Sequence, residues 1–381
     1  MKPVPLNSRM RNILAQELRA TMGRYRSGVW RSCEPCRQGE VVGFSRQGFP
    51  RQARFLRHHS TPMPHAPLTI RGLVKIHPGP VCALRGVDLD IGEGMYGLLG
   101  PNGAGKSTFM NIVAGLVEPT AGSVLLDGVD VVADPRHMRE RLGYLPQDFG
   151  FYPDLSGRAM LEFLLRMKGV SGPKGRRVLA DELLERVNLT SAAKRKVGGY
   201  SGGMRQRLGL AQAIAGNPRV LIVDEPTAGL DPEERQRFYR LLAEMSAGRI
   251  VLLSTHIVDD VSTLCPRLAV IRAGEVVADT TPTAARDSVD GLIYEGFVAD
   301  AQLPAFAESH RVISAVLVEG RTNRVRVFVA ASASAPASFT RSTSTLEDAY
   351  LVLMRCARHE LPPALSHALA PTLSVLAGGV V

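Results

Sequence analysis

A chain of 381 residues, 45% of them apolar, has room for two or three globular domains and the hydrophobic content of an ordinary soluble protein. The formal charge of +10 is misleading, because residues 1–62 hold twelve Lys/Arg against three acids and so carry nine of the surplus charges; a nucleic-acid role drawn from total charge is thereby excluded. Five cysteines, an odd count in a chain of this size, imply no disulfide framework.

Residues 1–62 lack sustained periodicity and are rich in Arg, Gly, Ser and Pro, the composition of a disordered segment. Leu6–Met22 can form a short amphipathic helix, and an Arg-rich, acid-poor start also fits an organelle transit peptide. The preferred account is a start at Met63, since ordered patterning begins a few residues later. No apolar run with a cleavage site marks a secretory signal. Cys33 and Cys36 form a lone CxxC, and the adjacent His58 and His59 cannot complete the usual zinc spacing. Reduced thiols are expected.

From Leu68 the pattern predicts strands at Leu68–Leu73, Cys82–Leu84, Val87–Ile91 and Tyr96–Leu99. The last runs into Gly100-Pro101-Asn102-Gly103-Ala104-Gly105-Lys106-Ser107-Thr108. A strand, a glycine-rich turn, Lys and Ser make a phosphate-binding loop in its proper context. Its backbone N–H groups turn inward at the positive end of a helix. Lys106 can reach the β- and γ-phosphates, and the Ser107 hydroxyl can ligate Mg²⁺. The helix is predicted from Lys106, with Phe109, Met110, Ile112, Val113 and Leu116 on one face. The loop implies a nucleoside triphosphate and leaves the use of its energy open.

Strands follow at Gly122–Leu126 and Arg141–Leu145. Residues 153–197 read as helices, one carrying Leu161, Phe163, Leu164 and Leu165, another Leu179, Leu183, Leu184 and Val187, with a break at Gly172–Gly175. A helix from Tyr200 through Ala215 leads to the strand Val220–Val223. That strand ends in Asp224 and Glu225: the first can hold Mg²⁺, the second can polarise water. A helix over Pro232–Met245 carries Glu233 and Glu234 in its first turn, where the dipole favours acids. The strand Ile250–Ser254 follows. Strands alternating with helices give an α/β core. Residues 290–357 read as a small α+β appendix, with strands Leu292–Val298, Val312–Val318 and Val325–Ala330 and a helix Leu346–Ala357. Residues 361–381 carry no formal charge, but their prolines, His367 and modest apolarity argue against a membrane span.

Tyr200-Ser201-Gly202-Gly203-Met204-Arg205-Gln206-Arg207 narrows the class. It offers a second anion-binding turn at a helix start, about a hundred residues after the phosphate loop and just before the acidic strand. There it resembles the signature motif of ATP-binding cassette (ABC) ATPases. Gln147, Asp231 and His256 fall at that family's Q-loop, D-loop and switch histidine. The resemblance covers residues 68–285. It implies a P-loop NTPase cassette of the α/β class: a RecA-like parallel-sheet core, an antiparallel β subdomain and a helical subdomain near 148–200, within 67–287. The α+β accessory domain would then span 288–358, the basic extension 1–66 and the uncharged tail 359–381.

By the same resemblance, ATP and Mg²⁺ are the expected ligands, and two copies pair head to tail around two ATP molecules. Gly100, Pro101, Asn102, Gly103, Ala104, Gly105, Lys106, Ser107 and Thr108 would cradle phosphate in cis. Ser107, Gln147 and Asp224 would serve Mg²⁺, Glu225 would be the general base, and His256 would contact the γ-phosphate. Ser201, Gly202 and Gly203, with Asp231, would complete the partner's pocket in trans. His77 falls where the family often places an aromatic residue against adenine, a departure expected to weaken base binding. The Phe149–Leu155 run and the Leu346-Glu347-Asp348-Ala349-Tyr350-Leu351 tail resemble ATPase subunits of ABC-2-type exporters. A separate integral membrane permease, docking on the exposed aromatics Phe149–Tyr152, is then implied, with the chain at the cytoplasmic face of the inner membrane and no nucleic acid. The alternatives are a soluble ABC ATPase acting on nucleic acid or ribosomes, and an inactive structural cassette. The first expects coiled-coil insertions or a second cassette, and neither is found. Intact Lys106, Asp224, Glu225 and His256 oppose the second.

Overall fold

Leu68, Ile70 and Leu73 are buried while their neighbours are partly exposed, the alternation of a strand with one face on a core. In the computed structural model, which describes residues 67–79, 81–318, 320–331, 333–356 and 361–362, this strand is β1 (Leu68–His77). Leu6–Met22, Cys33, Cys36, His58, His59 and Met63 lie outside the described residues, as do residues 363–381. β1 pairs antiparallel with β2 (Val81–Ile91) and with β4 (Ala121–Leu126), and β5 (Val129–Asp130) closes the edge, giving the order β2-β1-β4-β5. The two strands predicted at Cys82–Leu84 and Val87–Ile91 are one. Gly86 takes a positive φ of 82° and the register shifts beside it, so a bulge replaces the expected loop.

The central sheet has six strands in the order β10-β9-β3-β8-β7-β6: β3 (Gly94–Leu99), β6 (Leu142–Leu145), β7 (Val220–Asp224), β8 (Ile250–Thr255), β9 (Arg267–Arg272) and β10 (Glu275–Thr280). All neighbours are parallel except β10 against β9. Every residue of β7 and β8 is buried, because layers cover both faces of a parallel sheet. Between this sheet and the antiparallel one lies helix α1 (Lys106–Val113), with Phe109, Met110, Ile112 and Val113 in a shared core. Leu116 is not on that face. The helix stops at Val113, Gly115 turns away with a φ of 67°, and Leu116 is 58% exposed. Helix α2 (Pro135–Arg139) precedes β6.

The helical layer contains α3 (Gly157–Met167), α4 (Arg176–Arg186) and α5 (Gly202–Ile214). Met160, Leu161, Leu165, Leu183, Leu184 and Leu208 join one core with β7, β8 and α6 (Pro232–Met245). Helices α7 (Val258–Leu264) and α8 (Pro282–Asp287) complete this half. The appendix has a four-stranded sheet β12-β13-β11-β14: β11 (Ile293–Ala299), β12 (Arg311–Leu317), β13 (Thr322–Phe328) and β14 (Thr340–Arg341). Helix α9 (Leu303–Ser309) follows β11, and α10 (Leu346–Arg355) ends the described fold. Thr345 and Asp348 form a reciprocal capping box that starts α10. Arg272 of β9 donates to the Leu353 and Cys356 carbonyls and closes its end. No helix among the described residues is long and apolar enough to cross a membrane. Cys82 and Cys265 form no disulfide, and burial pushes the Cys265 thiol up to about 12, leaving it unreactive.

Candidate functional site

The chain leaves β3 at Leu99 and turns through Gly100–Gly105 into α1. Gly105 takes φ 108°, and a Cβ there would collide with the Ala83 carbonyl of β2. Only glycine meets both demands. α1 has no side-chain N-cap and no acid in its first turn, so its leading N–H groups and its positive dipole end stay available to an anion. Lys106 is 4% exposed. Its Nζ donates to the Gly100 carbonyl at 2.8 Å and the Pro101 carbonyl at 3.2 Å.

Glu225 gathers the polar groups. It follows β7 with a positive φ of 45°, a conformation a non-glycine residue holds only where its surroundings enforce it. Its N–H donates to the Ser254 carbonyl at 2.9 Å, which pins the turn to β8. Its Oε1 lies 3.4 Å from Lys106 Nζ. Its Oε2 accepts from Gln147 Nε2 at 3.1 Å and lies 3.3 Å from His256 Nδ1. Three predicted residues from three other parts of the sequence thus meet at the Glu225 carboxylate. Asp224, 3% exposed, stands beside it. Burial pushes its carboxyl above the ordinary Asp range, while the nearby Ser254 and Ser107 hydroxyls pull it down. Even so, Asp224 Oδ1 makes no hydrogen bond of acceptable geometry.

The signature turn is built differently. Ser201 caps α5 by accepting from the Met204 N–H at 3.1 Å. Ser201 and Gly202 are exposed and Gly203 is buried. Asp231 caps α6, accepting from the Glu234 N–H at 2.8 Å. Among the described residues, no hydrogen bond or ion pair joins Ser201–Gly203 or Asp231 to the Glu225 cluster. His77 ends β1 opposite Val81, half-buried, on the hairpin whose Ala83 abuts Gly105. The aromatics after Gln147 are less exposed than expected. Phe149 and Phe151 are half-buried with ring centroids 5.0 Å apart and pack on the helical core, and Tyr152 alone among the three is mostly exposed.

One part of the site had no sequence signal. Asp260 in α7 is fully buried, and its carboxylate accepts from Thr227 Oγ1 at 2.6 Å, from Thr255 Oγ1 at 2.8 Å and from the Tyr239 hydroxyl. Burial and then Asp260 hold the Tyr239 hydroxyl well above its usual range, so it remains a donor. Thr227 lies two residues after Glu225, and Thr255 immediately precedes His256. One carboxylate therefore ties down both segments.

The family described as ABC transporter matches residues 84–228. The Nod factor export ATP-binding protein I of Burkholderia orbicola (strain AU 1054) is 40% identical over 228 residues, 59% of this chain and 74% of that protein. The daunorubicin resistance ATP-binding protein DrrA2 of Streptomyces coeruleorubidus is 42% identical over 225 residues, 58% of this chain and 70% of that one. The chain belongs to the ABC transporter family. Among solved structures, the dimeric bacterial ABC transporter cassette MJ0796 is similar at a TM-score of 0.51 and 29% identity, covering 56% of this chain and 98% of that one. The same cassette is known in a post-hydrolysis state bound to ADP and Pi, with the same score and coverage.

This ABC protein is thus an ATP-binding, ATP-hydrolysing cassette with the P-loop fold expected from its sequence, and the two relatives are by name an export and a resistance ATP-binding protein. The nucleic-acid and ribosome alternative finds no support among the relatives named here. The family also implies Mg²⁺. The unpartnered, buried Asp224 Oδ1 beside the Ser107 hydroxyl is a pair of hard oxygen donors that suits it. Among the described residues no cluster of three or more His, Cys, Asp or Glu could cage a metal.

Proposed function

We propose that this chain is the ATPase subunit of an ABC-2-type exporter, working as a head-to-tail pair at the cytoplasmic face of the membrane under a separate integral permease. The observation that carries it is the convergence of Lys106, Gln147 and His256 on Glu225 beside buried Asp224. Phosphates of ATP lie on the N–H groups of the Gly100–Thr108 loop and on the Lys106 ammonium. Glu225 takes the proton of the attacking water as its oxygen bonds the γ-phosphorus and the bond to the β-phosphate oxygen breaks, giving ADP and phosphate. His256 donates to the γ-phosphate. Asp224, Ser107 and Gln147 would hold Mg²⁺, which when bound would neutralise charge on the phosphates. His77 faces the adenine.

Ser201, Gly202, Gly203 and Asp231 serve the other copy's ATP. Charge on a transferring phosphoryl group is best met by donors already in place on every side, and one chain supplies one side. Closing two chains around two ATP molecules is then the step that drives the permease, and hydrolysis reopens them. Tyr152, mostly exposed and edge-on to Phe163 with ring centroids 5.6 Å apart, is proposed as the aromatic that meets the permease.

The test is Glu225→Gln in sedimentation and steady-state assays. Turnover should fall by about 10² to 10⁴, the range of a general base, while saturating MgATP drives the variant into dimers. A variant that stays strictly monomeric in MgATP, or hydrolyses at the wild-type rate, overturns the proposal.

A further inference from the structure

Helices α5 and α6 begin at the signature turn and at Asp231, and Glu234 joins the two starts. Its backbone N–H holds the Asp231 carboxylate at 2.8 Å. Its own carboxylate reaches the other way, to an ion pair with Arg207 of α5, Nη2 to Oε2 at 3.3 Å. The Arg207 side chain runs back along α5, donating to the Gly203 carbonyl and to the Asn188 carbonyl, each at 3.4 Å. Glu234 also lies directly against Gly203, where a Cβ would collide with Oε2. Gly203 has no positive φ, so its missing side chain serves this contact rather than backbone freedom. Side-chain exposure is 9% for Arg207 and 16% for Glu234. At that depth either charge alone would be costly, so the pair holds the two helix starts in one relative position. Arg237, one turn further along α6 and half-exposed, adds a cation 3.1 Å from Oε1.

We propose that Glu234 is a positioning residue that locks the signature turn and the Asp231 loop into one trans-acting unit. The inference rests on the reading that both loops complete the partner's pocket. Among the described residues no hydrogen bond or ion pair joins Glu234 to the Glu225 cluster; its polar partners are Arg207, Asp231 and Arg237. Its effect on turnover passes through Gly203 and Asp231, which must reach the partner's ATP together.

The experiment uses the full chain and a mixing design. Glu234→Gln should bind a fluorescent ATP analogue as the wild type does, because its own phosphate loop is untouched. Turnover should fall about tenfold, the factor carried by one charge-assisted hydrogen bond. Mixing it in equal amount with Lys106→Ala chains, which have a disabled loop but intact trans elements, should raise activity about two- to threefold above Glu234→Gln alone, since random pairing makes half the dimers mixed and each of those holds one repaired site. Ser201→Arg mixed with Lys106→Ala is the control for the trans reading. If the control recovers and the Glu234→Gln mixture does not, Glu234 acts within its own pocket or on folding, and the inference fails. If the control stays silent, the trans reading fails and takes the inference with it. Wild-type turnover of Glu234→Gln alone also overturns it. Arg207→Gln, which removes the other half of the pair, must reproduce the same pattern; should Glu234→Gln not fold, it decides the matter.

Discussion

Burial raises the Asp224 carboxyl above the ordinary Asp range, so at neutral pH its ionised form costs stability that the unfolded chain does not forfeit. The cost is present above the folded-state pKa and is relieved as pH falls through it, because the folded state then binds the extra proton more tightly. Asp224→Asn should therefore raise the thermal midpoint of the nucleotide-free protein at pH 7. The gain should shrink as pH drops into the carboxylate range, and stabilisation by MgATP should vanish. Melting curves at both pH values, with and without MgATP, check this; a lower midpoint at pH 7 would show that the acid is net stabilising there. Lys106→Ala should abolish binding of a fluorescent ATP analogue, since the ammonium lies against the Gly100 and Pro101 carbonyls at the loop's entrance, and unchanged affinity in a titration would contradict the cradle. Lys106, Asp224 and Glu225 were legible in the sequence because each belongs to a short run with its own chemical logic, whereas Gln147 and His256 were legible only through the resemblance of their order and spacing to the family's. Asp260 was not. An acid in the first turn of a helix reads as a dipole-favoured surface residue, and its role exists only once Thr227 and Tyr239 arrive from 33 and 21 positions away.

Elements with a strong period or an unbroken apolar run were read nearly to their ends, and several short ones were not read at all. Pro232–Met245 is a helix over the residues expected, and the apolar run Val220–Val223 is the fully buried β7. Helices α7 and α8 and strands β9 and β10 are six or seven residues each, too short to show a period, and they went unread. The bulge at Gly86 looked like a strand break for a related reason: an inserted residue interrupts alternation whether or not the strand continues. α7 nevertheless carries the residue to which the Glu225 and His256 segments are both tied. Asp260→Asn keeps the volume but removes the charge that three hydroxyls address. It should destabilise the fold by about 1–3 kcal/mol, the scale of a damaged buried hydrogen-bond group, as read from the denaturant midpoint. kcat should fall while ATP affinity holds, because Thr227 and Thr255 set the positions of Glu225 and His256 and not the phosphate loop. Loss of ATP affinity with unchanged kcat would place the network's influence elsewhere.

At the scale of the whole molecule, the described body divides its chemistry between two surfaces. The Glu225 cluster forms at the C-terminal ends of β7 and β8, where an open parallel sheet places its ligands, while the capped starts of α5 and α6 face outward with Ser201 and Gly202 exposed. On the proposed reading that Ser201–Gly203 and Asp231 serve the other copy's ATP, the chain holds a donor set for a pocket it does not itself contain. If two chains must close for each turnover, activity cannot be a property of one chain. Below the concentration at which MgATP-bound chains pair, turnover per chain should fall in proportion to protein concentration, and above it should level off. Holding two copies side by side on a permease would remove this dependence, since the effective local concentration then replaces the bulk one. An ATPase dilution series in saturating MgATP, with sedimentation at the same concentrations, separates the cases. Constant turnover per chain across dilutions at which sedimentation finds only monomers would mean that a single chain completes its own site.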